Sequence, residues 1–211
     1  MKNIILIAPP GAGKGTQAKM LCSKFNMVHI SVGDLLRSEI QKNNDLSKSL
    51  KQRMQDGKLV EDELILQIMK ERLNKSDLCK GFILDGFPRN INQAINLDKI
   101  TDKINAVIYL EVSKKELERR ILGRLVCTNC GSSYSEVVEE LKPINNYICD
   151  NCNSKLEKRL DDTIEIFNNR YDTYLKETYP ILEFYKKQNK LYTINSLNKE
   201  QIFNEIVSII S

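Results

Sequence analysis

The stretch NIILIAPPGAGKGTQ (residues 3–17) decides the fold. Lys2 to Ala8 is an apolar, β-rich run that stops at two prolines. Beyond the glycines, Ala18, Leu21, Cys22 and Phe25 recur at i, i+3, i+4 and i+7, one face of a helix. A strand, a glycine-rich turn and a helix in that order form a phosphate cradle. Gly11, Gly13 and Gly15 let the backbone approach a polyphosphate, the helix start adds positive field, and Lys14 supplies a point charge. The loop departs twice from the pattern G-x-x-x-x-G-K-[ST]: its first glycine is Ala8, and Gly15 stands where the hydroxyl is usual. An alanine is harmless there only if φ is negative, so Ala8 is expected as the last strand residue. Thr16 keeps an oxygen near a metal-bound phosphate, still in the first helical turn.

Outward from the loop, β-rich runs alternate with helical patterns. Further strands are expected at 27–30 (MVHI), 81–85 (GFILD), 106–112 (AVIYLEV) and 190–194 (KLYTI). Continuous apolar strands suit a sheet buried on both faces, and strand–helix alternation implies a parallel α/β sheet with ligands at its carboxyl edge. Ser31 and Asp34 signal a helix start, and further helices are expected over 46–56 and 62–74, broken by Gly57. Ser113 and Glu116 open a helix reaching about Arg124. A long helix starts near Asp162 with Glu165 as capping partner, and 199–210 forms the last.

Composition sets the class. The chain has 211 residues, 28% charged and 41% hydrophobic, with a net charge of +4 from 32 basic and 28 acidic residues. Such a balance argues against a general nucleic-acid binder. No apolar run approaches membrane-spanning length. MKNIILIAPP is too short in its apolar part for a signal peptide, and cleavage after it would destroy the loop, so the chain reads as intracellular.

Residues 125–158 are rich in turn residues and hold two pairs, Cys127-x2-Cys130 and Cys149-x2-Cys152, 18 residues apart. That spacing suits a four-thiolate zinc site, disulfides being the alternative in an oxidising compartment. Cys22 and Cys79 stand alone, and His29, the one histidine, reads as structural. Asp85 ends an expected buried strand, where a carboxylate needs a cation or donors, and a place near Mg2+ through water fits it. Arg89 can make a two-pronged phosphate contact. Arg37, Arg120, Arg124, Arg159 and Arg170 add guanidiniums, with Arg120 and Arg124 spaced to share a helix face. With Lys14 they form the cationic clamp that phosphoryl transfer requires.

PPGAGKGTQ (9–17), SVGDLLR (31–37), DGKLV (56–60), DGFPRN (85–90), Arg159 and Arg170 together resemble the nucleoside monophosphate kinases. The sequence is most similar to the long-form adenylate kinases with a zinc-binding lid, along essentially its whole length. The resemblance implies a P-loop three-layer sandwich with a central five-stranded parallel sheet. It implies a core of 1–30, 61–122 and 162–211, an AMP-binding insert at 31–60 and a zinc lid at 123–161. It implies the reaction ATP·Mg + AMP ⇌ 2 ADP in a cytoplasmic monomer. Carried over by position, Gly11, Ala12, Gly13, Lys14, Gly15 and Thr16 hold ATP phosphates, with Arg120, Arg124, Ser133 and Tyr134 also on ATP. Arg37, Lys58, Leu59, Val60, Gly86, Phe87, Pro88, Arg89 and Gln93 hold AMP, and Arg159 and Arg170 bridge the phosphates. Val32 stands in the AMP site where the family commonly has threonine, so one hydrogen bond of about 0.5–1.5 kcal/mol is lost. Gln93, an amide able to read a base edge, keeps adenine as the preferred base. The zinc is expected to be structural, since four thiolates leave no open position.

Other readings remain: another acceptor base, or GTP as donor. A nucleotide-controlled zinc-ribbon nucleic-acid binder is disfavoured, because Lys142 is the one basic residue in 127–152, against Glu136, Glu139, Glu140 and Asp150. A protein-binding module with a vestigial loop would leave Lys14 and the arginines idle.

Overall fold

The computed structural model describes residues 2–41, 45–56, 59–101 and 103–211. Five parallel strands form the central sheet in the order β2-β3-β1-β4-β8: β1 (Asn3–Ile7), β2 (Val28–Ser31), β3 (Phe82–Asp85), β4 (Ile104–Leu110) and β8 (Leu191–Ile194). Side chains alternate along β1. Ile5 and Ile7 enter one hydrophobic cluster, Ile4 and Leu6 the other. Both faces are therefore covered, as the unbroken apolar strands required.

On the first face pack α2 (Val32–Gln41), α3 (Asp45–Gln55), α4 (Asp62–Leu73), α5 (Ile91–Ile100) and α8 (Ile181–Lys187). They contribute Leu36, Leu50, Met69, Leu97 and Tyr185, all at or below 5% exposure. On the second lie α1 (Lys14–Phe25), α6 (Lys114–Leu122), α7 (Ile164–Thr173) and α9 (Lys199–Ile210), with Leu21, Leu117, Phe167 and Ile206 buried. Each such side chain stabilises the fold by about 1.5–3 kcal/mol. Three layers result, as expected. No helix among the described residues is long and apolar enough to cross a membrane.

Strand addition changes sides around β1, with β3 and β2 on one side and β4 and β8 on the other. Register sets Leu6 beside Asp85 and Ser31 beside Asp85, so three strands end together at one edge. That edge receives the glycine loop.

Several boundaries differ from the sequence reading. β1 ends at Ile7, one residue short of Ala8. Ala8 is not among the positive-φ residues, so an alanine there is unstrained; its carbonyl leaves the ladder to accept from Lys14 Nζ at 2.8 Å. The helix after Ser113 stops at Leu122, and Arg124 opens a strand, so Arg120 and Arg124 do not share a helix face. The expected long helix starts at Ile164, capped by Thr163, whose hydroxyl accepts from Ile166 N–H at 3.2 Å. Asp162 cannot cap it because its carboxylate holds Arg124. A π-bulge at Tyr174–Thr178 then interrupts it before α8. Gly57 and Lys58 lie outside the described residues.

Between α6 and α7 a separate sheet forms in the order β6-β5-β7: β5 (Arg124–Cys127), β6 (Ser133–Ser135) and β7 (Leu156–Glu157). Its buried cluster is Leu125, Cys127, Cys149 and Leu156, with Tyr134 and Cys152 against it.

Candidate active site

The glycine loop links β1 to α1, and two of its glycines are needed for their dihedrals. Gly11 has φ +86° and Gly13 φ +92°, a region that costs L side chains strain. Gly13 caps α1, accepting from Thr16 N–H and Gln17 N–H at 3.1 Å each. Gly15 lies inside the helix, where an added Cβ would make an ordinary contact 3.7 Å from Asp85 Oδ2. Ala12 is buried, and Thr16 sits in the first turn as the sequence predicted.

Lys14 curls back, donating to the carbonyls of Ala8 at 2.8 Å and Pro9 at 3.3 Å. Burial pushes its ammonium down to about 8. Asp85 opposes that push, while Arg89 and Arg124 add to it. Asp85 ends β3, and its Oδ2 lies 3.3 Å from Nε2 of His29 on neighbouring β2. Burial alone would raise the Asp85 carboxyl, but the His29 hydrogen bond and the charges of Lys14 and Arg89 hold it below its ordinary value. It is thus an ionised, inward carboxylate beside the phosphate loop. His29, read from sequence as structural, belongs to this constellation. Among the described residues its ring is the one hydrogen-bond partner of the Asp85 carboxylate.

The DGFPRN turn follows β3. Gly86 has φ +79°, Phe87 is buried at 1%, and Phe87–Pro88 is a cis bond. This turn folds Arg89 inward: Nε donates to Gly86 O at 2.8 Å, and Thr178 Oγ1 donates to Arg89 O at 2.8 Å. Burial lowers the Arg89 guanidinium, with Arg170 and Arg37 pushing the same way and Asp85 opposing. Arg159 is lowered to about 10, first by burial and then by the charges of Arg124 and Arg37. These mutual repulsions identify the group that the fold brings together: Lys14, Arg37, Arg89, Arg124, Arg159 and Arg170.

Acidic partners hold three of these cations, and sequence reading missed them. Arg124 Nε donates to Asp162 at 2.6 Å, with a second short contact from its Nη2, and the Asp162 side chain is 2% exposed. Arg170 pairs with Asp161, and Arg37 with Asp34. The acidic doublet at 161–162 is visible in the sequence, but it reads there as a helix start.

Arg120 stands apart from this cluster, bound to Glu116 at 2.7 Å and donating to Leu197 O at 3.1 Å. Glu116 also holds Arg119 at 2.8 Å; first through that pair and then through Arg120, its carboxyl falls to about 2 despite partial burial. Ser133 is exposed on β6. Tyr134 OH is engaged at the cysteines, 3.5 Å from Cys149 Sγ and accepting from Asp150 N–H at 2.9 Å. On the other side, Val32 and Val60 are buried, and Leu59 O accepts from Arg53 at 3.2 Å. Gln93 is 2% exposed; its Oε1 accepts from Arg89 N–H and its Nε2 donates to Asp62.

The four paired cysteines converge, with their Sγ atoms within 4.8 Å of one another. Two matching turns bring them there. Cys127 N–H donates to Ser132 O and Gly131 N–H to Cys127 O; Cys149 N–H donates to Ser154 O and Asn153 N–H to Cys149 O, all at 2.8–2.9 Å. The closest sulfurs are 3.4 Å apart, well beyond a disulfide's ~2.05 Å. This four-cysteine group could hold a metal ion.

With this geometry in view, comparison with known proteins is decisive. The family model for adenylate kinase matches residues 6–190. The chain belongs to the adenylate kinase family. It is 41% identical to an adenylate kinase of Thermosipho africanus over 213 aligned residues, covering 99% of both chains. It is 46% identical to the adenylate kinase of Methanocella arvoryzae, over 90% of this chain and 89% of that one. An adenylate kinase of Ruminiclostridium cellulolyticum is 45% identical over 89% of each. Adenylate kinase activity, a phosphoryl transfer between nucleotides, is accordingly the function of the chain.

Proposed function

We propose that the chain catalyses reversible transfer of the terminal phosphoryl group of ATP to AMP, giving two ADP, with Mg2+ accompanying ATP. The observation carrying this reading is the convergence of Lys14 and five arginines beside the glycine loop. A phosphoryl group in transfer spreads charge over its oxygens, and fixed cations stabilise it without moving. On this reading Gly11 to Thr16 hold the ATP phosphates from β1 and α1. Arg124, Ser133 and Tyr134 serve ATP from the lid side, and Arg120, outside the cationic cluster, serves it from α6 of the core. Arg37, Val32, Lys58 to Val60, Gly86 to Arg89 and Gln93 form the AMP side, and Arg159 and Arg170 span the two. The segments 31–60 and 123–161 act as AMP insert and lid over the remaining core. A closing lid keeps water from the phosphoryl group.

Asp85 and Thr16 are the residues that would hold Mg2+, Asp85 through water. Asp85 fits because it is largely shielded from solvent, ionised and beside the loop. The ion, when bound, neutralises phosphate charge. Cys127, Cys130, Cys149 and Cys152 would hold Zn2+, and the two matching turns support a tetrahedral structural site. Free thiols at one site suit the reducing cytoplasm. All proposed roles fall within one chain, as a monomer requires.

A coupled assay with ATP·Mg and AMP, CMP, UMP or GMP as acceptor tests the reading. AMP is expected to be the best acceptor, and Lys14→Ala is expected to reduce its turnover by about 10³ or more. Unchanged phosphotransfer in Lys14→Ala overturns the mechanism.

A further inference from the structure

One polar cluster is not used by the phosphate chemistry. Asp62, at the start of α4, receives three side-chain amides from the turn before α5 and from its first residues. Asn90 Nδ2 donates at 2.8 Å, Asn92 Nδ2 at 2.7 Å and Gln93 Nε2 at 2.7 Å. Asn90 also caps α5, its Oδ1 accepting from Gln93 N–H at 2.8 Å. The other end of the Gln93 amide accepts from Arg89 N–H at 2.8 Å. Burial would raise the Asp62 carboxyl, but the three amides hold it below its ordinary value.

An ionised carboxylate only accepts and a backbone N–H only donates. Gln93 therefore has one amide orientation, with Nε2 towards Asp62 and Oε1 towards Arg89. Each partner uses one of its capacities, leaving one N–H and one lone pair for a further group.

We propose that Asp62 is a positioning residue for acceptor-base choice: by fixing the Gln93 amide, it favours a 6-aminopurine monophosphate over a 6-oxopurine one. This rests on the reading of Gln93 as a base contact. Adenine presents a ring-nitrogen acceptor beside an amino donor, matching an amide held in one orientation. A 6-oxopurine carries a carbonyl in place of the amino group and would meet Oε1 acceptor to acceptor. An amide free to turn over would accept either base, and one fixed at both ends cannot. Mispaired polar groups at a buried site are a strong source of discrimination.

The test is the ratio of kcat/KM for AMP to that for inosine monophosphate, measured with ATP·Mg. Asp62→Leu removes the acceptor and is expected to raise KM for AMP and narrow the ratio, each about tenfold. Its KM for ATP is expected to stay within about twofold of the parent value. Asp62→Asn keeps a carbonyl for Gln93 and is expected to retain most of the ratio. Equal losses on both acceptors, or an unchanged ratio, in Asp62→Leu overturn the proposal. Gln93→Leu separates it from the reading beneath: if that variant leaves the ratio unchanged, the base contact fails and the proposal with it. If Gln93→Leu narrows the ratio and Asp62→Leu does not, only the role of Asp62 is lost. Should Asp62→Leu not melt cooperatively, Asp62→Ala is judged by the same ratio.

Discussion

Lys14 carries electrostatic strain, since burial lowers it to about 8 from an ordinary 10.5. Between those two values the folded chain binds fewer protons at this lysine than the unfolded chain. Stability therefore rises with pH through the window, and the penalty is complete below it. Lys14→Met lacks this titration. The stability of the parent relative to Lys14→Met is expected to grow by about 2 kcal/mol across pH 8–10.5, read from urea midpoints. A flat difference would show that the charge is not strained. At this scale the sequence announced the cations but not their counterions. Lys14, Arg89 and Arg159 were legible from the loop and from guanidinium chemistry. His29 was not, because its contact with Asp85 joins residues 56 apart across two strands.

Among the elements, the glycine loop shows how a helix packed on the same face constrains a turn. An added Cβ at Gly11 would lie 2.8 Å from Ile121 Cγ1 and 3.1 Å from Leu117 O, both on α6, while one at Gly13 meets nothing within 4 Å. Both positions have positive φ, so both alanine variants suffer backbone strain of about 1–3 kcal/mol. Gly11→Ala adds overpacking, typically about 1–3 kcal/mol more. Gly11→Ala is expected to lower the thermal midpoint further than Gly13→Ala; calorimetry giving the reverse order would refute the packing account. Strand and helix types were readable because periodicity is local. The end of α6 was not: helical spacing runs on through Arg124, yet that residue pairs antiparallel with Ser135. Nor was the start of α7, where the cap passes to Thr163 because Asp162 serves Arg124.

For the molecule as a whole, the small sheet at 124–157 has too few buried residues to hold itself. Its apolar cluster is Leu125, Leu156 and two of the four converging cysteines. On the proposal that Zn2+ sits there, Cys149→Ser or Cys152→Ser is expected to release the metal and lower the thermal midpoint by several degrees. Turnover of the folded variant is expected to stay within about threefold, because a four-thiolate site leaves no open position for chemistry. Metal content, melting and turnover on one preparation check this, and a turnover loss of orders of magnitude in folded protein would sink the structural role. By itself, the sequence determined the parallel α/β class, the phosphate loop, the paired cysteines and the stock of arginines. Each is written in spacing along a few residues, where 3.6- and 2-residue periods and fixed motif gaps act. Tertiary structure alone decided that Arg120 leaves the clamp, that Asp161 and Asp162 hold Arg170 and Arg124, and that Asp62 orients Gln93. Those pairings join partners up to 38 residues apart through register and helix packing, which no local pattern contains.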